Sequence, residues 1–192
     1  MNTKFLTTAA AVLAFSLSTG AQASLTSSGP LTVYDSEQNL TWTKDANLNG
    51  TRNWATAVTW ANNLDYAGYT DWVLPTIDQL TTQFSTNLGE AVGKSITDSH
   101  NGSYNLFTNV QNSAYWSSSA WATYPVSYAM YFASNVGSNA PSDKNNSGYA
   151  WAVHAGDVAA SAPAAVPLPA ATWLFLSGLM GVVGLTRRKN IG

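Results

Sequence analysis

Cysteine is absent from this chain of 192 residues. Its absence excludes disulfide stapling, thiolate nucleophiles and cysteine-ligated metals, so packing and hydrogen bonding must hold the fold together. Charge is scarce as well. Only 9% of residues are Asp, Glu, Lys or Arg, and between residues 24 and 162 four basic residues face ten acidic ones, a net charge of −6. Without a basic patch the electrostatic term that drives nucleic-acid binding has no source, and nucleic acid is excluded as a partner. The two histidines, His100 and His154, have no partner at metal-ligand spacing. Ser117, Ser118 and Ser119 lack the glycines of a nucleophile elbow. Asp71 sits in a turn signal and Asp78 in the first turn of a helix, where carboxylates are stabilising in any case. No residue is assigned a catalytic role, and the chain is read as a non-enzyme.

What the chain has in quantity is aromatic side chains, including eight Trp and nine Tyr. With few charges and much Ser, Asn and Thr, this composition predicts a rigid aromatic core under a polar, uncharged surface. The two ends have a different character. Lys4, the apolar stretch 5–19 and the small-x-small triplet Ala21-Gln22-Ala23 form a secretory signal peptide over residues 1–23, with cleavage between Ala23 and Ser24. Residues 163–192 hold Val166, Pro167, Leu168, Pro169 and Ala170, then an apolar run, then Arg187, Arg188 and Lys189. A transmembrane helix is predicted over 170–186; at about 1.5 Å per residue its apolar run, 170–185, spans roughly 24 Å, with the basic trio on the cytoplasmic side. A buried core helix is the alternative. Two prolines keep the preceding motif extended, as a protease requires of its substrate.

This end resembles the PEP-CTERM sorting signal of Gram-negative bacteria, in its Val-Pro-Leu-Pro-Ala variant. The resemblance implies transient insertion in the inner membrane, recognition by an exosortase, cleavage near Val166 to Pro169, and transfer to the cell surface or an extracellular polysaccharide matrix. Leu168 stands where the commonest pattern has an acidic residue.

The body, 24–162, has room for one domain. Alternating residues predict strands over 31–34 and 39–44, forming a hairpin around Asp35-Ser36-Glu37. Asn53 caps a helix whose apolar positions are Trp54, Ala57, Val58, Ala61 and Leu64. Thr76 with Gln79 forms a capping box for a second helix reaching about Leu88. A long loop follows over 90–105, then strands over 114–118, 127–133 and 149–155. Strands, two helices, then strands favour an α+β fold.

Two candidate sites emerge from the body. Asp45-x-Asn47-x-Asn49-Gly50 copies the opening of an EF-hand calcium loop, but its twelfth position is Thr56 in place of a bidentate Glu. The competing reading is a Gly/Asn turn leading to the cap at Asn53. No resident cofactor is expected, and calcium is the one ion with a candidate loop. The second candidate is aromatic. Trp116, Trp121, Tyr124, Tyr128 and Tyr131 lie in or beside the late strands, where flat rings suit a sugar face. Trp42, Trp54, Trp72, Trp116 and Trp151 are assigned to the core, and Trp121 and Tyr124 are the candidate ligand contacts.

Leu40-Thr41-Trp42, the 54–64 helix, Gly68-Tyr69-Thr70-Asp71-Trp72-Val73-Leu74-Pro75-Thr76, Tyr115-Trp116-Ser117-Ser118 and Ala150-Trp151-Ala152-Val153 together resemble the Lcl C-terminal-like family. The resemblance covers nearly the whole body. It implies a C-type-lectin-like fold with two helices and short antiparallel strands, and a binding or adhesion module, glycan or matrix ligands being known in some relatives. Val73 stands where relatives carry Arg. The wider fold relationship reaches formylglycine-generating enzymes, whose chemistry needs the cysteines this chain lacks. The expected function is that of an exported, sorted surface or matrix protein with a lectin-like, exopolysaccharide-associated domain. The alternatives are a passive scaffold and, ranked last, an extracellular hydrolase.

Overall fold

A computed structural model describes residues 25–161. The cleavage site at Ala23 and Ser24, the motif from Val166 to Ala170, the segment 170–186 and the trio Arg187, Arg188 and Lys189 lie outside the described residues. The chain divides into two compact units, Met1–Val158 and Ala159–Gly192, and both sheets belong to the first.

Nine strands form among the described residues: β1 (Leu25–Ser27), β2 (Thr32–Asp35), β3 (Leu40–Thr43), β4 (Thr51–Arg52), β5 (Ala114–Ala120), β6 (Tyr128–Ala133), β7 (Ser138–Asp143), β8 (Gly148–Tyr149) and β9 (Val153–Ala155). One sheet has the order β1-β2-β3-β9, all antiparallel, and the other the order β4-β8-β5-β6-β7 with a parallel β5–β8 pair. Helix α1 (Trp54–Asn62) and helix α2 (Ile77–Thr81) lie between them in sequence.

The expected α+β, C-type-lectin-like architecture is therefore corrected to a mostly β one, two sheets carrying short helices. Three strands escape a propensity reading for physical reasons. β4 is only two residues long and β1 three, while β7 reads Ser-Asn-Ala-Pro-Ser-Asp, with a proline that a ladder accepts because β7 is an edge strand. The predicted strand over 149–155 splits, β8 going to one sheet and β9 to the other. The predicted membrane helix is no part of the described fold: no helix among the described residues is long and apolar enough to cross a membrane.

Local chemistry explains the elements that do match. In the β2–β3 hairpin the buried Asp35 carboxylate accepts the amides of Glu37 (3.0 Å) and Gln38 (3.1 Å), closing the turn before Asn39, whose φ is +50°. Asn53 caps α1 by accepting the Thr56 amide at 2.9 Å. Thr76 and Gln79 form both halves of a capping box at α2. After Thr81 the helix loosens into a π segment, Thr82–Asn87, which ends at Leu88.

The main core forms where both sheets meet α2 and the π segment. Val33, Trp42 and Val153 make a cross-strand row of the first sheet, Tyr115 and Phe132 a row of the second, and Leu80, Phe84 and Leu88 come from the helical segment. Trp151 lies at the centre, with ring centroids of Trp42 and Phe107 at 5.0 Å and of Phe84 and Tyr115 at 5.8 Å. Its indole N–H donates to the Thr43 carbonyl at 2.8 Å, so a buried donor is satisfied. A second cluster covers the other face of β5 and β6: Ala57 and Ala61 of α1, Leu74, Trp116, Ala129 and Ala150. Both faces of β5 are thus buried, Tyr115 inward and Trp116 outward.

Candidate functional site

The two sequence segments with the most distinctive spelling are structural. Ala67 and Gly68, with φ of +56° and +82°, sit between Tyr66 and Tyr69, whose backbones exchange two 3.0 Å hydrogen bonds; this is the pattern of a tight primed turn. The turn delivers Trp72 to a fully buried position where its N–H donates to the Tyr69 carbonyl (2.9 Å). Val73 then pairs with Val153 of β9, and the Pro75 carbonyl accepts the Ser118 amide at 2.8 Å, so residues 73–75 stitch one sheet to the other. The serines make this possible. Between Trp116, opposite Tyr131, and Ala120, opposite Ala129, β5 bulges. Ser117 Oγ donates to the Met130 carbonyl (2.7 Å), Ser119 Oγ accepts the Ile77 amide (3.0 Å), and the Ser117 carbonyl accepts the Trp54 indole N–H (2.8 Å). The serines therefore serve as joinery. Trp42, Trp72, Trp116 and Trp151 are buried as assigned, whereas Trp54 is half-exposed, its ring covered by the Lys144 ammonium at 4.0 Å.

Beyond the bulge the chain rises into the β5–β6 connection, where the two aromatic candidates meet. The Tyr124 amide donates to the Trp121 carbonyl (3.1 Å), the Tyr128 amide to the Tyr124 carbonyl (3.0 Å), and the Trp121 amide to the Tyr128 carbonyl (3.2 Å). This compact turn gathers three rings, with centroids at 5.4 Å (Trp121–Tyr124), 5.6 Å (Trp121–Tyr128) and 6.2 Å (Tyr124–Tyr128). Lys144 fastens the far side, its Nζ donating to the Pro125 carbonyl at 2.8 Å and its amide to the Ser127 carbonyl at 2.9 Å. With Pro141 of β7, the three rings line an open groove of about 560 Å³. Tyr124 is 59% exposed. Among the described residues, the indole N–H of Trp121 and the hydroxyls of Tyr124 and Tyr128 donate to no protein group, so the groove presents apolar faces edged by free polar groups.

Trp121 and Tyr124 were the sequence candidates and the structure brings them together. Tyr128 belonged to the wider aromatic set, and its register against β7 turns it into the groove floor. Pro141 left no signal, because its placement depends on the β6–β7 pairing.

The calcium candidate is built differently. Asp45 accepts the Asn47 amide (2.8 Å) through one carboxylate oxygen and the Asn109 side-chain amide (2.8 Å) through the other, and Asn47 Oδ1 accepts the Gly50 amide (2.9 Å). The Asn49 carbonyl takes the Arg52 guanidinium. These oxygens hold the turn that leads to the α1 cap, and among the described residues no three His, Cys, Asp or Glu side chains gather to hold a metal ion.

One titratable group went unnoticed in the sequence. Glu90 is 2% exposed and, among the described residues, neither of its carboxylate oxygens has a hydrogen-bond partner. Loss of solvent pushes its carboxyl up to about 8, the nearby Gly137 backbone acting in the opposite direction. It lies where the segment after the π turn abuts the β6–β7 turn: the Gly93 amide donates to the Val136 carbonyl and the Ile96 amide to the Ser134 carbonyl. His100 stacks on Tyr104 at 4.2 Å, and His154 packs edgewise against Tyr69 and Trp72.

The family model of the Lcl C-terminal domain matches residues 31–154. No curated protein matches the chain. The match covers both sheets except β1 and the last residue of β9, and the chain belongs to the Lcl C-terminal domain family.

Proposed function

From membership of the Lcl C-terminal domain family and the aromatic groove, we propose that this chain is an exported surface or matrix protein whose domain binds polysaccharide. Trp121, Tyr124 and Tyr128 supply the stacking faces and Pro141 a rigid wall. The observation that carries the reading is the grouping of three rings in an open groove, with polar tips that bond to no other group among the described residues, whereas Trp42, Trp72, Trp116 and Trp151 fill the core. Amphipathic rings at a surface are suited to ligands that are apolar on one face and hydroxylated at the rim.

Delivery belongs to the same proposal. The signal peptide ending at Ala23 and the PEP-CTERM-like motif Val166 to Ala170, with Arg187, Arg188 and Lys189 behind it, support export, handling by an exosortase at the inner membrane, and release or attachment at the cell surface. Binding is favoured over catalysis because, among the described residues, the groove is lined by Trp121, Tyr124, Tyr128 and Pro141, with no Ser, His, Asp or Glu in the lining.

The test is affinity electrophoresis of the exported protein in gels containing bacterial exopolysaccharide, alongside Trp121→Ala. Retardation that the variant loses supports the reading. Equal migration of both proteins in every gel contradicts it and favours a passive scaffold. Mass spectrometry of the exported protein tests delivery: a C-terminus between Val166 and Ala170 is expected, and an intact Gly192 terminus on surface-located protein contradicts exosortase handling.

A further inference from the structure

Four Asn-x-Ser/Thr triplets stand in the chain, beginning at Asn39, Asn49, Asn101 and Asn145, and the fold treats them differently. In an exported protein such a triplet is an acceptor for N-linked oligosaccharide when it lies at the surface. Chemistry adds two conditions. The nucleophile is the side-chain Nδ2, so it must be free of the fold, and so must the hydroxyl two residues on, through which a transferase recognises the triplet.

Two of the four fail. Asn39 Oδ1 accepts the Tyr34 hydroxyl (2.9 Å), and its partner Thr41 is fully buried, donating to the Gly156 carbonyl (2.6 Å) and accepting the Val158 amide (3.2 Å). Asn101 Nδ2 donates to the Asn87 carbonyl (3.0 Å) while its Oδ1 accepts the Ser103 amide (2.8 Å). Asn145 is placed otherwise. Residues 144–147 join β7 to β8, and Asn145, Asn146 and Ser147 are all exposed. The turn is held by its backbone: the Asn146 amide donates to the Asp143 carbonyl (3.0 Å), the Asn145 amide to the Asp143 carboxylate (2.8 Å) and the Lys144 amide to the Ser127 carbonyl (2.9 Å). The side-chain amide of Asn145 and the hydroxyl of Ser147 make no hydrogen bond among the described residues. Asn49 and Thr51 are exposed as well, but Asn47 stands two residues before Asn49, where Asp143 stands before Asn145. A carboxylate at that place gives a transferase a charged handle, and complementary charge is a source of specificity.

We propose that Asn145 is an N-glycosylation site, an inference that rests on the export half of the reading above. The donor class is a lipid-pyrophosphate-linked oligosaccharide. Asn145 Nδ2 bonds to C1 of the first sugar, the C1–O bond to the pyrophosphate breaks with its electron pair leaving on the phosphate oxygen, and one Nδ2 proton is released. Nothing is oxidised or reduced.

Peptide mass spectrometry of the full exported protein from its own host tests this. Expected is a saccharide mass increment on the peptide that holds Asn145 and none on those that hold Asn39 or Asn101. Asn145→Gln and Ser147→Ala are expected to abolish the increment and Ser147→Thr to retain it, with all three variants melting within about 2 °C of the wild type, because these side chains bond to nothing in the fold. An unmodified Asn145 on a chain that begins at Ser24 overturns the inference and leaves export standing. A chain that keeps residues 1–23 overturns both. An increment on Asn49 in place of Asn145, or one on Asn145 that survives Ser147→Ala, overturns the assignment of this triplet.

Discussion

Two aromatic clusters in this domain are built from the same residue types and are put to opposite uses. Around Trp151, rings of Trp42, Phe84, Phe107 and Tyr115 are buried, packed at 5.0–5.8 Å, and the central indole donates to the Thr43 carbonyl. Around Trp121, the rings of Tyr124 and Tyr128 pack almost as closely, at 5.4–6.2 Å, but solvent reaches them and, among the described residues, their side-chain polar atoms have no partner. The difference lies in what the backbone does. The core rings come from β3, β5, the π segment and the segments at Phe107 and Trp151, which close over one another, whereas Trp121 and Tyr124 project from a turn tied down by Lys144, and Tyr128 from the start of β6 beside an edge strand with a proline. In a chain without disulfides the first cluster has to supply cohesion. The second is free of that duty, and residues free of it are available for recognition.

Trp151→Ala should break the comparison hardest on the structural side. It opens a cavity at the centre of the main core and is expected to destabilise the domain by about 3–5 kcal/mol, measured by urea unfolding.

Glu90 provides the next largest effect, through pH. Its folded-state carboxyl is raised above the ordinary value to about 8, so the folded protein holds a proton that the unfolded chain has released. Stability from this group is fully present below the ordinary carboxyl range and is lost as pH rises through about 8. Thermal melts across that range should show a downward slope for the wild type and a flatter one for Glu90→Gln, with the variant the more stable by more than about 1 kcal/mol at the alkaline end.

A smaller loss is expected at the joinery between the sheets. Ser117→Ala leaves the Met130 carbonyl without its side-chain donor inside the bulge and should cost about 1–2 kcal/mol in chemical unfolding. Trp121→Ala is expected to cost the least, within about 0.5 kcal/mol, because the ring is only partly buried, at the rim of an open groove, and makes no side-chain hydrogen bond among the described residues. A loss for Trp121→Ala as large as that for Trp151→Ala would erase the distinction between the clusters.

Much of the fold was legible locally. The Asn53 cap, the Thr76–Gln79 capping box and the Asp35 turn of the β2–β3 hairpin each depend on residues within four positions of one another, and such signals survive whatever the tertiary structure does. The parts that were not legible depend on distant partners. β7 has no apolar period and is a strand because β6 lies beside it; the 149–155 run divides because Tyr149 finds Tyr115 while Val153 finds Trp42. Those non-local pairings are why an expected α+β domain is a mostly β one. Trp121 and Tyr124 were identifiable as candidates from their position between strands, but Pro141 joins them only through ladder register. Glu90 resembles any loop carboxylate until the chain folds over it.

The most direct measurement is a paired one on the Trp121→Ala/Tyr124→Ala double variant: unfolding free energy and polysaccharide binding on the same preparation. Stability within about 1 kcal/mol of wild type together with abolished binding is the predicted result. A variant that unfolds, or one that stays folded and binds as the wild type does, would contradict the assignment of these rings to recognition.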